Sequence, residues 1–241
     1  VKSDSAWMDM ERYRRCIDQD MRRADFAGEY AIFGIDLASK LDVSAIIRVF
    51  WRPDNDTGEM HYYFFADYYL PEAALEGSDN PQYDGWRRSG YIHATGGEVT
   101  DLAALECQLM YEIPEYRTIS VAYDPMQATQ LSQNLLQAGA PMTEVPQTLK
   151  NFSEPMKLLQ ALIYAGRVHI EDNPVTHWMM SNVVCHTDAK ENIYPRKEKK
   201  ENKIDGAVAM IMVVNQIIQL DVENNYNDSA APVDWGQFRI A

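Results

Sequence analysis

The chain has 241 residues, with 36 acidic against 22 basic side chains, a formal net charge of −14, and 46% hydrophobic and 24% charged residues. That length sustains one sizeable core without disulfide or metal staples, and the composition excludes disorder, collagen-like repeats and low complexity. The acidity argues against a surface coated in positive charge that grips nucleic acid non-specifically, while leaving room for a local basic strip.

Cys16, Cys107 and Cys185 show no Cys-x-x-Cys spacing, so neither a disulfide framework nor a thiolate zinc site is expected, and a reducing cytosol fits best. The longest apolar run, from Ala207 to Val214, falls well short of the roughly 20 residues that cross a bilayer, and no signal-peptide pattern opens the chain. A soluble protein with no membrane partner is expected. The start at Val1 rather than Met suggests a piece of something longer.

In chain order, Trp7, Met10, Tyr13, Cys16 and Ile17 recur at roughly helical spacing and predict a helical extension or linker over 1–27. Residues 30–38, 43–51 and 60–69 are rich in β-branched and aromatic types, and the gap from Arg52 to Glu59 holds Pro, Asn, Asp and Gly. They predict three strands in an antiparallel meander. The stretch 71–98 is rich in turn residues; a helix over 100–113 follows, entered at Thr100 or Asp101. An alternating pattern succeeds it: strand 118–123, helix 126–138 ended by Gly139, short strand 142–145, and helix 153–165 capped by Ser153 and stopped at Gly166. Residues 174–185 can be helical, 186–195 are turn-rich, and 204–220 form a strongly apolar helix. A meander followed by alternating helices and strands implies an α/β fold: one mixed sheet with helices on both faces, over 28–220. From 221 to 241 an acidic, loosely ordered tail is expected.

Three aspartates stand out within these elements. Asp36 lies in the first strand of the meander, sharing a face with Ile32, Gly34 and Ala38, and a carboxylate there is costly unless something offsets its desolvation. Gly34 and Ala38 leave open space beside it; the alternative is a frayed strand end. Asp124 follows the apolar strand 118–123 and precedes Pro125, where open α/β sheets place ligands, although an N-cap with proline at N1 has the same pattern. Asp205 sits in the first turn of a helix apolar on nearly all sides, where it either complements the helix dipole or faces a site opened by Gly206. In the ribonuclease H-like architecture these three places converge on one sheet edge, where carboxylates hold two divalent ions about 3.5–4 Å apart. Oxygen ligands suit Mg²⁺ or Mn²⁺, and the lack of a Cys/His cluster speaks against zinc.

Gly34-Ile35-Asp36-Leu37-Ala38-Ser39 with Asp42, Ala122-Tyr123-Asp124-Pro125 with Gln130-Leu131, Asn173-Pro174 with Trp178-Met179 and Ser181-Asn182, and Lys203-Ile204-Asp205-Gly206-Ala207 resemble the nuclease domain of the large terminase subunit of tailed bacteriophages. The resemblance runs over residues ~30–215 in matching order. It implies an endonuclease that cuts concatemeric double-stranded viral DNA during genome packaging, with Asp36, Asp124 and Asp205 as catalytic metal ligands. It also implies an ATPase domain in the full-length protein, a small terminase subunit and a procapsid portal as partners, and the cytoplasm of a bacterial host. No Gly-x-x-x-x-Gly-Lys-[Ser/Thr] loop is present, so ATP hydrolysis is not expected of this chain.

Asp42, six residues after Asp36, is an accessory metal candidate or a turn aspartate, with Glu112 and Asp188 as weaker alternatives for a fourth acid. The run from Arg196 to Lys203 carries Arg196, Lys197, Lys199, Lys200 and Lys203 against two acids immediately before Asp205. It is either a solvated loop or a clamp on the phosphate backbone; Lys40 and Arg87-Arg88 are poorer candidates. The five histidines lack His-Glu-x-x-His spacing, and Tyr62, Tyr63, Tyr68 and Tyr69 suit sheet packing. Two rival readings stand beside the packaging nuclease: a junction resolvase or transposase-like nuclease of the same fold, and a non-catalytic module that docks on the portal or small subunit.

Overall fold

The computed structural model describes residues 5–37, 42–78, 80–127, 130–199 and 201–222. Its elements run β1 (Ser5–Ala6), α1 (Met10–Arg14), β2 (Ile17–Asp18), β3 (Tyr30–Asp36), β4 (Ser44–Pro53), β5 (Met60–Pro71), α2 (Glu72–Glu76), α3 (Tyr83–Arg88), β6 (His93–Thr95) and α4 (Leu102–Glu112). Then come β7 (Arg117–Tyr123), α5 (Gln130–Gln137), β8 (Met142–Glu144), α6 (Leu149–Tyr164), β9 (Val168–Glu171), α7 (Pro174–Ser181), β10 (Val183–Thr187), β11 (Ile193–Lys197) and α8 (Asp205–Gln219).

The meander forms as the sequence predicts. β3 pairs antiparallel with β4, and β4 with β5. The β4–β5 turn is held by the Asp54 carboxylate, which accepts from the backbone amides of Asp56 and Thr57, and Gly58 takes the left-handed φ of 73° that closes it. β7 lies parallel to β3 and β8 parallel to β7, completing the order β2-β9-β5-β4-β3-β7-β8, with β6 pairing the far end of β5. β3 sits inside this sheet and is buried on both faces, which is why its apolar residues run nearly unbroken.

Each face of the sheet carries its own core. On one, Ile32, Ala45, Ile47 and Val49 pack with residues of α6, α7 and α8; on the other, Phe33, Ile35, Ile46 and Phe50 pack with α4 and α5. α8 is buried from Gly206 to Ile217 and lies across β3, β4 and β7, as its all-round apolarity requires. α4 is capped by the Asp101 carboxylate on the Ala103 amide.

Four expectations are corrected. Residues 1–27 are not one helix: within the described part, α1 spans five residues, β1 pairs with β10, and β2 extends the main sheet beside β9. Their spaced apolar residues Trp7, Tyr13 and Cys16 are buried all the same, because the short α1 and the turns on either side of it carry them into the core. α6 begins earlier than predicted, with Thr148 as its cap, and Ser153 is a buried interior residue whose hydroxyl accepts from the Ile193 amide. The helix over 126–138 is shorter, a 3₁₀ turn at Pro125–Gln127 and then α5 from Gln130. Finally, the helix at 174–185 stops at Ser181, and the turn-rich stretch after it is the β10–β11 hairpin of a small second sheet. Ala38, Lys40 and the tail from residue 223 lie outside the described residues.

Candidate active site

β3 and β7 run parallel with Ile35 opposite Tyr123, so the next residues, Asp36 and Asp124, leave the sheet at the same edge. Gly34 sets the third position. A Cβ there would stand 2.5 Å from the Ala209 carbonyl oxygen and 2.6 Å from Val213 Cγ2, so the absence of a side chain lets α8 lie directly on β3. From that contact, two residues forward along the strand and one helical turn back along α8 cover similar distances, bringing Asp205 towards Asp36. Gly34 therefore does not leave open space beside Asp36; the helix fills it. The same correction holds for Gly206, where a Cβ would meet the Tyr68 hydroxyl at 2.4 Å.

Asp36 and Asp124 are both buried. Asp36 Oδ1 accepts from Gln147 Nε2 at 2.8 Å. Burial, then the Asp205 charge, and more weakly Asp124 and Asp42, push the Asp36 carboxyl well above its ordinary range against that hydrogen bond. Asp205 is raised to about 7 by burial and by Asp42, with Lys203 and Lys197 pulling the other way. Its Oδ2 is buried and makes no hydrogen bond. Asp124 caps the following turn through Oδ1 and the Met126 amide at 3.1 Å, so the N-cap pattern and the place at the sheet edge coexist in one residue.

Asp42 Oδ1 accepts from the Val43 amide and stands 2.7 Å from Lys203 Nζ. Lys203, expected among the cations of the basic run, is thus tied to an acid of the cluster. Among the described residues, no three His, Cys, Asp or Glu side chains converge as a metal cage. The aspartates feel one another's charge from separate positions, with Gln147 and Lys203 as their immediate partners. Their donor set of carboxylate oxygens, one of them buried and unpartnered, is nevertheless of the type that suits a hard divalent cation.

Of the rest of the basic run, Lys197 acts on the Asp205 carboxyl. Arg196 and Lys197 end β11 and are exposed, as is Lys199, while Lys200 lies outside the described residues. Arg87 and Arg88 pair with Asp84. Glu112 is removed from consideration as a fourth site acid because it faces the other side of the sheet, where Arg48 Nη2 approaches it to 2.6 Å and Arg23 Nη1 to 2.9 Å. Asp188 organises the β10–β11 turn, accepting from the amides of Lys190 and Asn192.

Two participants escape the sequence reading. Gln147, in the connection between β8 and α6, holds Asp36. Tyr194 on β11 donates its hydroxyl to the Gln147 carbonyl at 3.0 Å, and its phenol is pushed up by burial and by Asp124 and Asp36. No local pattern marks either, since both are defined by partners more than 40 residues away.

The model of the terminase large subunit endonuclease domain matches residues 1–220. The chain belongs to this terminase nuclease family. Protein YmfN of Escherichia coli K12 is 31% identical over 236 residues, which cover 93% of this chain and 51% of that protein. The terminase large subunit of Enterobacteria phage HK97 is 27% identical over 186 residues, 75% of this chain and 36% of the relative. The chain thus spans about half, or less, of the length of these relatives. The crystal structure of the HK97 large terminase superposes with a TM-score of 0.76 at 25% identity, covering 89% of this chain and 44% of that one. The large terminase nuclease of thermophilic phage G20c, solved with bound magnesium, shares the fold at a TM-score of 0.53 and 13% identity, covering 90% of this chain and 99% of that one. The fold is the ribonuclease H-like mixed sheet that the order of strands and acids predicts. No helix among the described residues is long and apolar enough to cross a membrane.

Proposed function

We propose that this terminase nuclease domain is a divalent-metal-dependent endonuclease that cuts concatemeric double-stranded viral DNA during genome packaging, with Asp36, Asp124 and Asp205 as its metal ligands. The observation that carries the reading is the buried, unpartnered Oδ2 of Asp205 beside an Asp36 carboxyl that burial and its acidic neighbours drive upward. Buried carboxylates set against one another are costly, and a cation between them offsets that cost. Divalent ions bound there, Mg²⁺ or Mn²⁺, supply activation of water and charge stabilisation at the leaving oxygen. The chain's own residues set the conditions: Gln147 fixes Asp36, Lys203 holds Asp42 as an accessory acid, and β7 with α8 bring Asp124 and Asp205 to the edge.

Arg196, Lys197, Lys199 and Lys200 are assigned to the phosphate backbone, whereas Lys203 is occupied by Asp42. The pull of Lys197 on the Asp205 carboxyl supports this assignment, because a cation that acts on the acids can also act on a phosphate held there. In the whole protein, the implied partners are an ATPase domain, a small terminase subunit and the procapsid portal, acting in the cytoplasm of the bacterial host.

The test is calorimetric titration of Mn²⁺ beside plasmid cleavage, for the parent and for Asp36→Asn, Asp124→Asn and Asp205→Asn. Each variant is expected to lose at least about 100-fold in cleavage rate while keeping its far-ultraviolet spectrum, an order of loss typical when a transition-state charge loses its stabiliser. A variant that cuts at the parent's rate removes that residue from the site. A parent that neither binds Mn²⁺ nor cuts leaves the docking module as the better reading.

A further inference from the structure

A cavity of about 530 Å³ opens beside the candidate active site, between the β5–α3 connection, α7 and the segment leading into α8. That volume lies within the roughly 300–1,000 Å³ of small-ligand pockets. Its wall includes Tyr83, Trp178, Asn80, Asn202, Glu201 and Lys203. Lys203 is the residue bound to Asp42, and Asp205 follows it by two positions, so one wall of the cavity continues into the acid cluster. Tyr83, buried at the cavity, has its phenol pushed up by burial first and then by the charges of Asp205 and Asp42.

The lining chooses among the parts of a DNA strand. A phosphate needs unopposed cations or a row of amides. Here the lining cation, Lys203, is paired with Asp42, and Glu201 adds a negative charge. The wall instead combines aromatic rings with side-chain amides. Trp178 is half-buried, with Tyr83 edge-on at 5.9 Å and Trp86 at 5.4 Å holding its ring in place. Asn202 offers both a donor and an acceptor and Glu201 an acceptor, the complement of a base edge, while Asn80 Oδ1 is taken by the Gln82 amide. A flat neutral ring bearing donors and acceptors meets the aromatic face, the amide and the carboxylate together; a phosphate meets only the amide donors.

We propose that this cavity receives a single unpaired nucleobase of the DNA substrate, stacked on Trp178, next to the strand being cut. This rests on the nuclease reading of the neighbouring acids and deepens it: the preferred substrate is duplex DNA with a locally unpaired nucleotide, made by fraying or by extrusion of one base.

The test is separated from metal and from cleavage by working in EDTA with the intact chain. Fluorescence anisotropy measures affinity for a fully paired duplex and for the same duplex carrying one unpaired 2-aminopurine. The parent is expected to bind the second roughly ten-fold more tightly, within the range for one base stacked on an aromatic side chain, and to quench the 2-aminopurine. Trp178→Leu removes the stacking face, while Ala73→Phe fills the cavity from a partly exposed position and leaves Trp178 in place. Both are expected to abolish the preference and the quenching while affinity for the paired duplex stays within about two-fold. Equal affinity of the parent for the two duplexes overturns the proposal, as does a folded Ala73→Phe variant, checked by thermal melting, that keeps the preference. Failure of the nuclease reading shows separately, as absence of Mn²⁺ binding and plasmid cleavage in the parent.

Discussion

Gly34 of β3 and Ala209 of α8 meet backbone to backbone: a Cβ on the glycine would lie 2.5 Å from the Ala209 carbonyl oxygen. The strand end carries Asp36 and the helix start carries Asp205, so this contact couples the positions of the two acids, whose charges act on each other.

Gly34→Ala is expected to push α8 off β3. Overpacking at so close an approach costs about 1–3 kcal/mol, and backbone against backbone places it at the upper end. Urea denaturation measures the loss. Cleavage is expected to fall by more than the folded fraction explains, because Asp205 moves with the helix. A variant with normal stability and normal cleavage shows that the glycine does not set the site.

Asp205→Asn separates the cost of the acid cluster from its use. An ordinary aspartate titrates near 3.9, whereas burial and Asp42 raise Asp205 to about 7 in the folded chain. Between these values the folded state keeps a proton that the unfolded chain has released, so stability falls as pH rises through the window and levels off above it. Asp36 is raised as well, so the two titrate as a pair. The amide removes this penalty. Thermal melting without divalent ions is expected to show the variant no more stable than the parent near pH 4, and more stable at pH 8 by on the order of 2–4 kcal/mol. A stability difference independent of pH refutes the raised carboxyl.

Divalent cations act on the same penalty from the other side. A ligand that binds only the folded state raises stability by mass action, about 2.7 kcal/mol at one hundred times its dissociation constant. Millimolar Mn²⁺ at pH 8 is expected to raise the melting temperature of the parent by several degrees and to leave Asp205→Asn almost unmoved. Equal shifts in both place the ion elsewhere.

On the opposite face, Arg48 is fully buried and bonded to Asp67 and Glu112, with Arg23 and Gln108 completing the network. Burial works against the Asp67 charge, but Arg48, the His93 hydrogen bond and Arg23 outweigh it and hold the carboxyl well below the usual range. Its stabilising contribution is therefore present above about pH 4 and lost as the pH falls below that. Arg48→Met leaves Asp67 and Glu112 sharing Arg23 without the buried guanidinium between them and is expected to cost about 3 kcal/mol. Adding Asp67→Asn and Glu112→Gln is expected to recover most of it. Chemical denaturation of the three chains gives the comparison, and a mild single variant shows the network to be expendable.

Lys197 and Lys199 are exposed, and Lys197 acts on the Asp205 carboxyl. Changing both to Glu is expected to weaken binding to paired duplex and to reduce the slope of log K against log salt by about 2, one for each phosphate no longer neutralised. An unchanged slope assigns the run to solvent.

Much of this molecule can be read from its residues in order. The meander follows from runs of β-branched and aromatic residues around a turn of Asn, Asp and Gly. Asp101 announces α4, and the apolar run after Asp205 predicts a buried helix. Those signals are local: a period, a cap and a breaker each lie within a few residues. Asp36 is visible because it interrupts an apolar strand, whereas Asp124 and Asp205 each fit an ordinary helix-start pattern and stand out only through their places in the order of elements.

Tertiary structure alone decided the rest. Whether Ser5–Ala6 and Ile17–Asp18 become strands depends on β10 and β9, more than 150 residues away, and helical spacing near the start of the chain could not report it. Gly34 and Gly206 invite the idea of open room beside a carboxylate; only the packing shows that a helix and a tyrosine already occupy it. Gln147 and Tyr194 join the site through single hydrogen bonds across the fold. A sequence carries its periodicities within reach of a few residues, whereas the neighbours of a side chain are set by which distant segments share a sheet edge.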